Sequence, residues 1–327
     1  MWPVPLLVGV VFAPESPWWH IRKGNIEAAK SALRRLTSAE YAKEADFNVD
    51  DTVAMMVHTN ELEIQAAAGT SYWQCFKGTD LRRTEIVSLV WVIQTFCGSG
   101  LMGFSIYFFR SAGLTAQGAF DMGMGQYALG AVGTMASWWL MNWVGRRTLY
   151  CWGLAILTAI LVVVGGLGVP KLVENGPLGW GVGACILIYT FVYDLTIGPV
   201  CYSLVAELSS TRLKAKSIVL ARNFYNIAGL INNALTPNMI NSSSWDWGAK
   251  AGFFWAGVCF LCWLWTYFRL PEPKGRTYGE LDVLFENKVP ARKFASTTVD
   301  QFSSEHMEIV LDNAEKVALS VDHKEQV

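Results

Sequence analysis

Asp194 is the single charged residue between positions 179 and 206, and it stands four residues before Gly198-Pro199. A carboxylate set in an apolar run can accept hydrogen bonds from hydroxyl groups or exchange a proton. A charge at such depth costs at least ~2.5–3.5 kcal/mol facing lipid, so it must face a cavity or a partner. A purely structural, hydrogen-bonded role is the alternative. Pro199 removes a backbone donor and loosens the helix at that level, freeing a carbonyl near the site. A second set of charges sits at the ends of apolar blocks: Glu15, Arg146 with Arg147, Glu207 with Arg212, and Glu272. Opposite charges at neighbouring helix ends can pair in one state and part in another, which is the working of a latch on a two-state motion. Arg147 with Glu207 is the expected pair. The plainer role for Arg146 and Arg147 is to fix topology.

The usual catalytic sets are missing. The four histidines, at 20, 58, 306 and 323, lie outside the apolar blocks, and no HExxH, GxSxG or P-loop sequence occurs. Neither an enzyme, a metal site nor a cofactor is expected. Six of the seven cysteines fall within apolar blocks at spacings that suit neither a disulfide framework nor zinc, so they read as small apolar core residues. The net charge of −1 gives no reason to expect nucleic acid as a partner.

The elements that must position these residues are long and poor in charge. Charged residues make up 16% of the 327 positions, against about a quarter in a soluble domain. Blocks 86–109, 122–144, 148–169 and 251–268 carry no charge, while 179–206 carries Asp194 and 217–240 carries Arg222. Each can cross a hydrocarbon core of roughly 30 Å as a helix, and a spanning segment must satisfy its backbone internally. Glycines along them, at 98, 100, 103, 123, 125, 130 and 133, let helices approach closely and imply a compact bundle. Residues 1–13 are apolar, lack the flanks of a secretory signal, and read as the exit end of a helix whose beginning is missing. Between 18 and 83 the chain is polar. Residues 24–37 suit a helix with Ile26, Ala29, Leu33 and Leu36 on one face, and 53–67 is a weaker candidate. Residues 286–327 read as a mobile tail.

Lys and Arg placement sets the orientation. With residues 18–83 in the cytoplasm, the outer side holds Arg110, Lys171 and Lys250, and the remainder of the 26 basic residues lie inside. The acceptor triplet Asn241-Ser242-Ser243 then falls outside.

Four motifs carry a resemblance. Pro14-Glu15-Ser16-Pro17-Trp18-Trp19 resembles the motif after the sixth helix of the sugar porters of the major facilitator superfamily, with Trp18 for the usual Arg, as in the fungal α-glucoside branch. Asn142-Trp143-Val144-Gly145-Arg146-Arg147 resembles the loop after the eighth helix. Gly198-Pro199 followed by Glu207 and Arg212 resembles the tenth-helix pattern. Pro271-Glu272-Pro273-Lys274-Gly275-Arg276-Thr277 resembles the signature after the twelfth, with Pro273 for the usual Thr. They stand in the family's order, each at the cytoplasmic end of a block.

The resemblance implies a substrate cavity lined from the seventh, eighth, tenth and eleventh helices. Gln94 matches the family's first seventh-helix Gln, and Thr95 stands where its second Gln would be. Gly100 replaces a sugar-binding Asn, so that contact is lost. Tyr202 keeps an aromatic face for a pyranose ring, and Asn223 and Asn226 lie near the eleventh-helix Asn positions. For Gln94 an interhelical hydrogen bond is the competing role. The expected fold is an all-α, polytopic six-helix bundle, the C-terminal half of such a carrier. Residues 1–17 form a helix end with its motif, 18–85 a cytoplasmic helical linker, 86–270 the membrane domain and 271–327 a cytoplasmic tail. The expected function is proton-coupled uptake of an α-glucoside or hexose across the plasma membrane. The partners are a sugar, protons, the lipid bilayer and a missing N-terminal half. A non-transporting remnant or sugar-sensing membrane protein is the alternative.

Overall fold

The chain divides into two units, Met1–Thr70 and Ser71–Val327. The structure, a computed structural model, describes residues 11–37, 48–67, 71–111, 114–169, 176–210, 212–241 and 243–297. The first ten positions of the apolar run 1–13 and the tail beyond 297 lie outside the described residues.

In the first unit α1 (Pro17–Arg22) opens on Pro17, whose absent N–H is not needed in a first turn. Helix α2 (Ile26–Leu36) buries Ala29 and Ala32. Ile26 and Leu36, expected on one face with Ala29, are exposed because they occupy its first and last turns. Helix α3 (Val49–Ala67) begins four residues earlier than the sequence pattern suggests. The Asn48 side chain accepts from Asp50 N at 2.9 Å and so supplies the cap that pattern overlooked. Lys30 meets Asp50 at 2.8 Å, and its hydrogen bond and charge hold the Asp50 carboxyl below the ordinary carboxylate range.

The second unit is all helical among its described residues. Each of the apolar blocks is helical: α4 (Gly78–Phe96) with α5 (Ser99–Gly103) and α6 (Ser105–Ser111), then α7 (Ala116–Trp143), α8 (Arg146–Leu167), α9 (Gly176–Leu208), α10 (Lys214–Ile240) and α11 (Ala251–Arg269). A short α12 (Tyr278–Glu286) follows, started by a capping box in which Thr277 and Glu280 exchange hydrogen bonds. Among the described residues three stretches, Arg146–Leu167, Gly179–Leu208 and Gly248–Arg269, are long and apolar enough to cross a membrane. The block 86–109 is interrupted, and α7 and α10 carry amides and other polar residues that lower their hydropathy.

The expectation of one continuous helix over 86–109 is corrected at Gly98, which stands at φ 105°, a conformation that strains other L-residues. The carbonyls freed by the break are taken up by neighbours. Tyr193 Oη donates to Gln94 O at 3.2 Å, Tyr189 Oη to Cys97 O at 2.9 Å, and Ser99 Oγ to Thr95 O at 2.9 Å. Irregular backbone is tolerated at membrane depth only where protein supplies such partners.

Helix α9 packs on α7 and α8, α8 packs on α11, and α4 packs on α10. Lipid is as apolar as leucine, so close packing rather than water exclusion holds these helices together. Tyr150, Leu154, Leu157 and Leu161 form a buried stripe on α8. Small residues set the closest approaches: a Cβ at Gly133 would lie 2.9 Å from Phe191 O, and one at Gly252 would lie 2.8 Å from Leu161 O. Gly103 and Gly125, expected to share this role, face open space instead.

Candidate functional site

The start of α4, α8 and α10 and the end of α7, α9 and α11 meet at one charged end of the bundle. Arg146 Nε donates to Glu207 Oε1 at 3.3 Å. The expected Arg147–Glu207 pair is not formed. Successive helix residues point about 100° apart, so when Arg146 faces α9, Arg147 faces α11. There it donates to Tyr267 O at 2.9 Å and lies over the Tyr267 ring. Glu272 accepts from the backbone N–H of Arg147 (3.1 Å) and Thr148 (3.3 Å), which places a carboxylate on the positive end of the α8 dipole. A Cβ at Gly145 would overlap that carboxylate. Arg212 pairs with Asp80 at 3.3 Å rather than with Glu207. Glu15 belongs to the first unit, where its side chain accepts from Ser16 N.

The most buried charge at this end went unnoticed in the sequence. Arg83 is 4% exposed; it pairs with Asp282 of α12, donates to Leu208 O (3.1 Å) and Ser209 O (3.0 Å), and lies over Phe285. It thereby satisfies carbonyls left open where α9 ends. Arg82 beside it donates to Val289 O, and Arg276 donates to the carbonyls of Phe294, Ala295 and Thr297. The segment after α12 is thus docked as far as 297, against the expectation of a mobile tail from 286. The signal available in the sequence was the Thr277-x-x-Glu280 spacing.

Toward the middle of the bundle the polar groups are arranged differently. Gln94 Nε2 donates to Gly198 O at 3.2 Å, an interhelical bond, while Gln94 Oε1 and Thr95 Oγ1 are buried without partners. Asp194 lies on the α7–α9 contact: a Cβ at Gly130 would be 2.5 Å from its Oδ2, and one at Gly198 would be 3.4 Å from its Oδ1. Among the described residues its carboxylate has no hydrogen bond and no ion pair. Gln94 and Asp194 therefore converge on Gly198, the residue before Pro199.

Tyr202 belongs to a separate aromatic group nearer the charged end. It is 53% exposed, and its ring meets Trp91 at 5.6 Å. Trp91 in turn meets Tyr225 at 5.6 Å, and the Arg222 guanidinium lies 4.6 Å from the Trp91 ring and 4.4 Å from the Tyr225 ring. Trp91 and Tyr225 were not marked by the sequence, and Arg222 stood out there only as the single charge of its block. Asn223 and Asn226 are exposed on α10 and make no hydrogen bond among the described residues.

Comparison with known proteins places this arrangement. The profile of the family "Sugar (and other) transporter" matches residues 1–285. The general alpha-glucoside permease of Saccharomyces cerevisiae is 43% identical over 303 residues, 92% of this chain and 48% of that protein. Maltose permease MAL31 of the same yeast is 41% identical over 305 residues, 93% of this chain and 49% of that protein. The chain thus spans about half the length of the curated relatives it matches. The major facilitator proton:xylose symporter XylE, bound to 6-bromo-6-deoxy-D-glucose, shares its fold with a TM-score of 0.65 at 20% identity, over 86% of this chain and 57% of XylE. The all-helical bundle is of the major facilitator kind, and the chain belongs to the sugar transporter family of multi-pass membrane proteins.

Proposed function

We propose that the chain supplies one six-span bundle of a carrier that moves an α-glucoside across the plasma membrane together with protons. Carriers of this fold pack two such bundles around a site near the bilayer midplane, so a second bundle completes the path. The observation that carries this reading is the pair of mid-bundle polar groups around Gly198. Asp194 and the Gln94 Oε1 are held at membrane depth without protein partners, where an unpaired polar group is costly. A sugar's hydroxyls supply donors to both, and Asp194 can exchange a proton as access alternates. Thr95, Tyr202, Asn223 and Asn226 complete the proposed lining, with Tyr202 offering a ring face to a pyranose. The charged end is proposed to be cytoplasmic. Its Arg146–Glu207 pair and the Glu272 cap then form the latch that closes that side, with Arg147 and Arg212 in the same set. The names of the yeast relatives favour an α-glucoside over a hexose. The half-length match also supports a second reading, a membrane protein that binds sugar without moving it.

The test is uptake of labelled maltose by yeast without α-glucoside carriers of its own. The cells express either the chain alone or a chimera in which the unmatched part of the general alpha-glucoside permease completes it. Acid-stimulated, concentrative uptake by the chimera is expected. A chimera that reaches the plasma membrane and transports no α-glucoside would sink the proposal, and binding without uptake would favour the second reading.

A further inference from the structure

Helices α4 and α10 lie along one another in register: Thr84 Oγ1 meets Ser217 Oγ at 3.5 Å, Trp91 meets Tyr225 at 5.6 Å, and beyond the break Gly100 meets Asn232. On α4 the facing residues are Thr84, Ser88, Trp91 and Thr95, spaced four, three and four apart as one helical stripe. Ser88 Oγ, Trp91 Nε1 and Thr95 Oγ1 are buried and unpartnered. On α10 the matching stripe is Ser217, Ala221, Tyr225, Ala228, Asn232 and Thr236, and all but Tyr225 are buried. The two helices thus enclose a polar seam that runs from the aromatic group toward the end opposite the charges.

Asn232 closes this seam. Its side chain fits the notch left by Gly100, where a Cβ would lie 2.5 Å from Asn232 Oδ1 and would overlap Thr236 Oγ1. The residue is 6% exposed. Its Oδ1 accepts from Thr236 Oγ1 at 3.0 Å, and this bond fixes the amide so that Nδ2 carries the free donors. Among the described residues nothing accepts from Nδ2. The amide is oriented by its neighbour, and its Nδ2, which makes no hydrogen bond and is not sealed off with the rest of the residue, can meet an acceptor that arrives from elsewhere. Thr95, one to two turns nearer the charged end on the same stripe, offers its own unpaired oxygen, while Gln94 next to it turns toward α9, where its Nε2 meets Gly198 O. Together Asn232 and Thr95 present donors at one end and an acceptor at the other, which suits a ligand dense in hydroxyls and longer than one ring.

We infer that Asn232 is a specificity-determining contact that donates a hydrogen bond to one hydroxyl oxygen of the sugar, with Thr236 as its positioning residue. The inference rests on the carrier reading and adds to it a contact outside the residues first expected to line the cavity.

The test uses the completed chimera with maltose and a set of monodeoxy-maltoses, reading uptake KM for each. Asn232→Ala should weaken maltose by roughly three- to tenfold. One deoxy analogue should be weakened to the same degree with the wild-type chimera and should show no further loss with Asn232→Ala. Thr236→Val, which frees the amide to rotate, should give a smaller loss on the same analogue and keeps the test open if Asn232→Ala folds poorly. An unchanged maltose KM in Asn232→Ala overturns the inference. So does an equal loss for every analogue, which marks an amide that bonds to the second bundle. If the wild-type chimera takes up no α-glucoside, the carrier reading fails and the inference fails with it.

Discussion

The charged end and the middle of the bundle treat polar groups in opposite ways. At the charged end Arg83, the most buried charge described there, has a carboxylate, two carbonyls and an aromatic face around it. Glu272 caps a helix, and Arg146, Arg212 and Arg269 each reach a carboxylate. In the middle, Asp194 has no hydrogen bond, and Gln94 Oε1 and Thr95 Oγ1 are buried without partners. The charged end pairs nearly all of its charges within itself, with Arg147 Nε and Thr266 Oγ1 buried and unpaired, whereas the middle leaves a whole carboxylate without a partner. A polar group left unpaired in a packed interior is a cost that folding alone would not retain. On the proposed carrier reading, the contrast separates residues that hold the bundle together from residues that meet the sugar.

Mutations at the charged end should act on stability. Arg83→Ala takes a buried guanidinium away from the Asp282 carboxylate and reopens the carbonyls at the end of α9. We expect a loss of ~3–5 kcal/mol, as for a broken buried ion pair, seen as a large drop in the unfolding midpoint in detergent. An unchanged midpoint would dissolve the contrast from its strong side. Next in size is Glu272→Ala, which uncaps α8 and should cost ~0.5–2 kcal/mol. Gly145→Ala should reproduce much of that loss by displacing the same carboxylate, and the two should be less than additive in combination. The smallest effect is the Arg146–Glu207 coupling, expected at ~0.2–1 kcal/mol in a double-mutant cycle, since both side chains keep some contact with solvent. The Arg147–Glu207 cycle should give no coupling, and a finding that Arg147 carries it would reverse the pairing described here.

Much of the bundle could be read from the sequence, because a membrane span leaves a coarse mark. Runs such as 148–169 and 251–268 lack charge over the length a bilayer demands, and α8 and α11 follow them closely. The break in the first block was hidden because Gly98 lies among other glycines that also serve helix packing; only its φ of 105° tells it apart. Charged partners were misassigned where the choice depends on helix rotation, as with Arg146 and Arg147. The mid-bundle residues were legible where a single odd residue stands in an apolar run, as Asp194 does. They were not legible where several amides compete. Asn223 and Asn226 drew attention by resemblance, yet the buried stripe on α10 passes through Asn232 instead. The spacing of Ser217, Ala221, Tyr225, Ala228, Asn232 and Thr236 was available in the sequence as a four-four-three-four-four pattern and would have marked it.

Asp194→Asn in the completed chimera is the most direct measurement, because it preserves shape while removing the charge and turning one acceptor oxygen into a donor. Maltose affinity should fall by roughly tenfold, while the unfolding midpoint without sugar stays level or rises as an unpaired charge is relieved. A midpoint that falls while maltose affinity holds would show that Asp194 serves the fold and takes no part in binding the sugar.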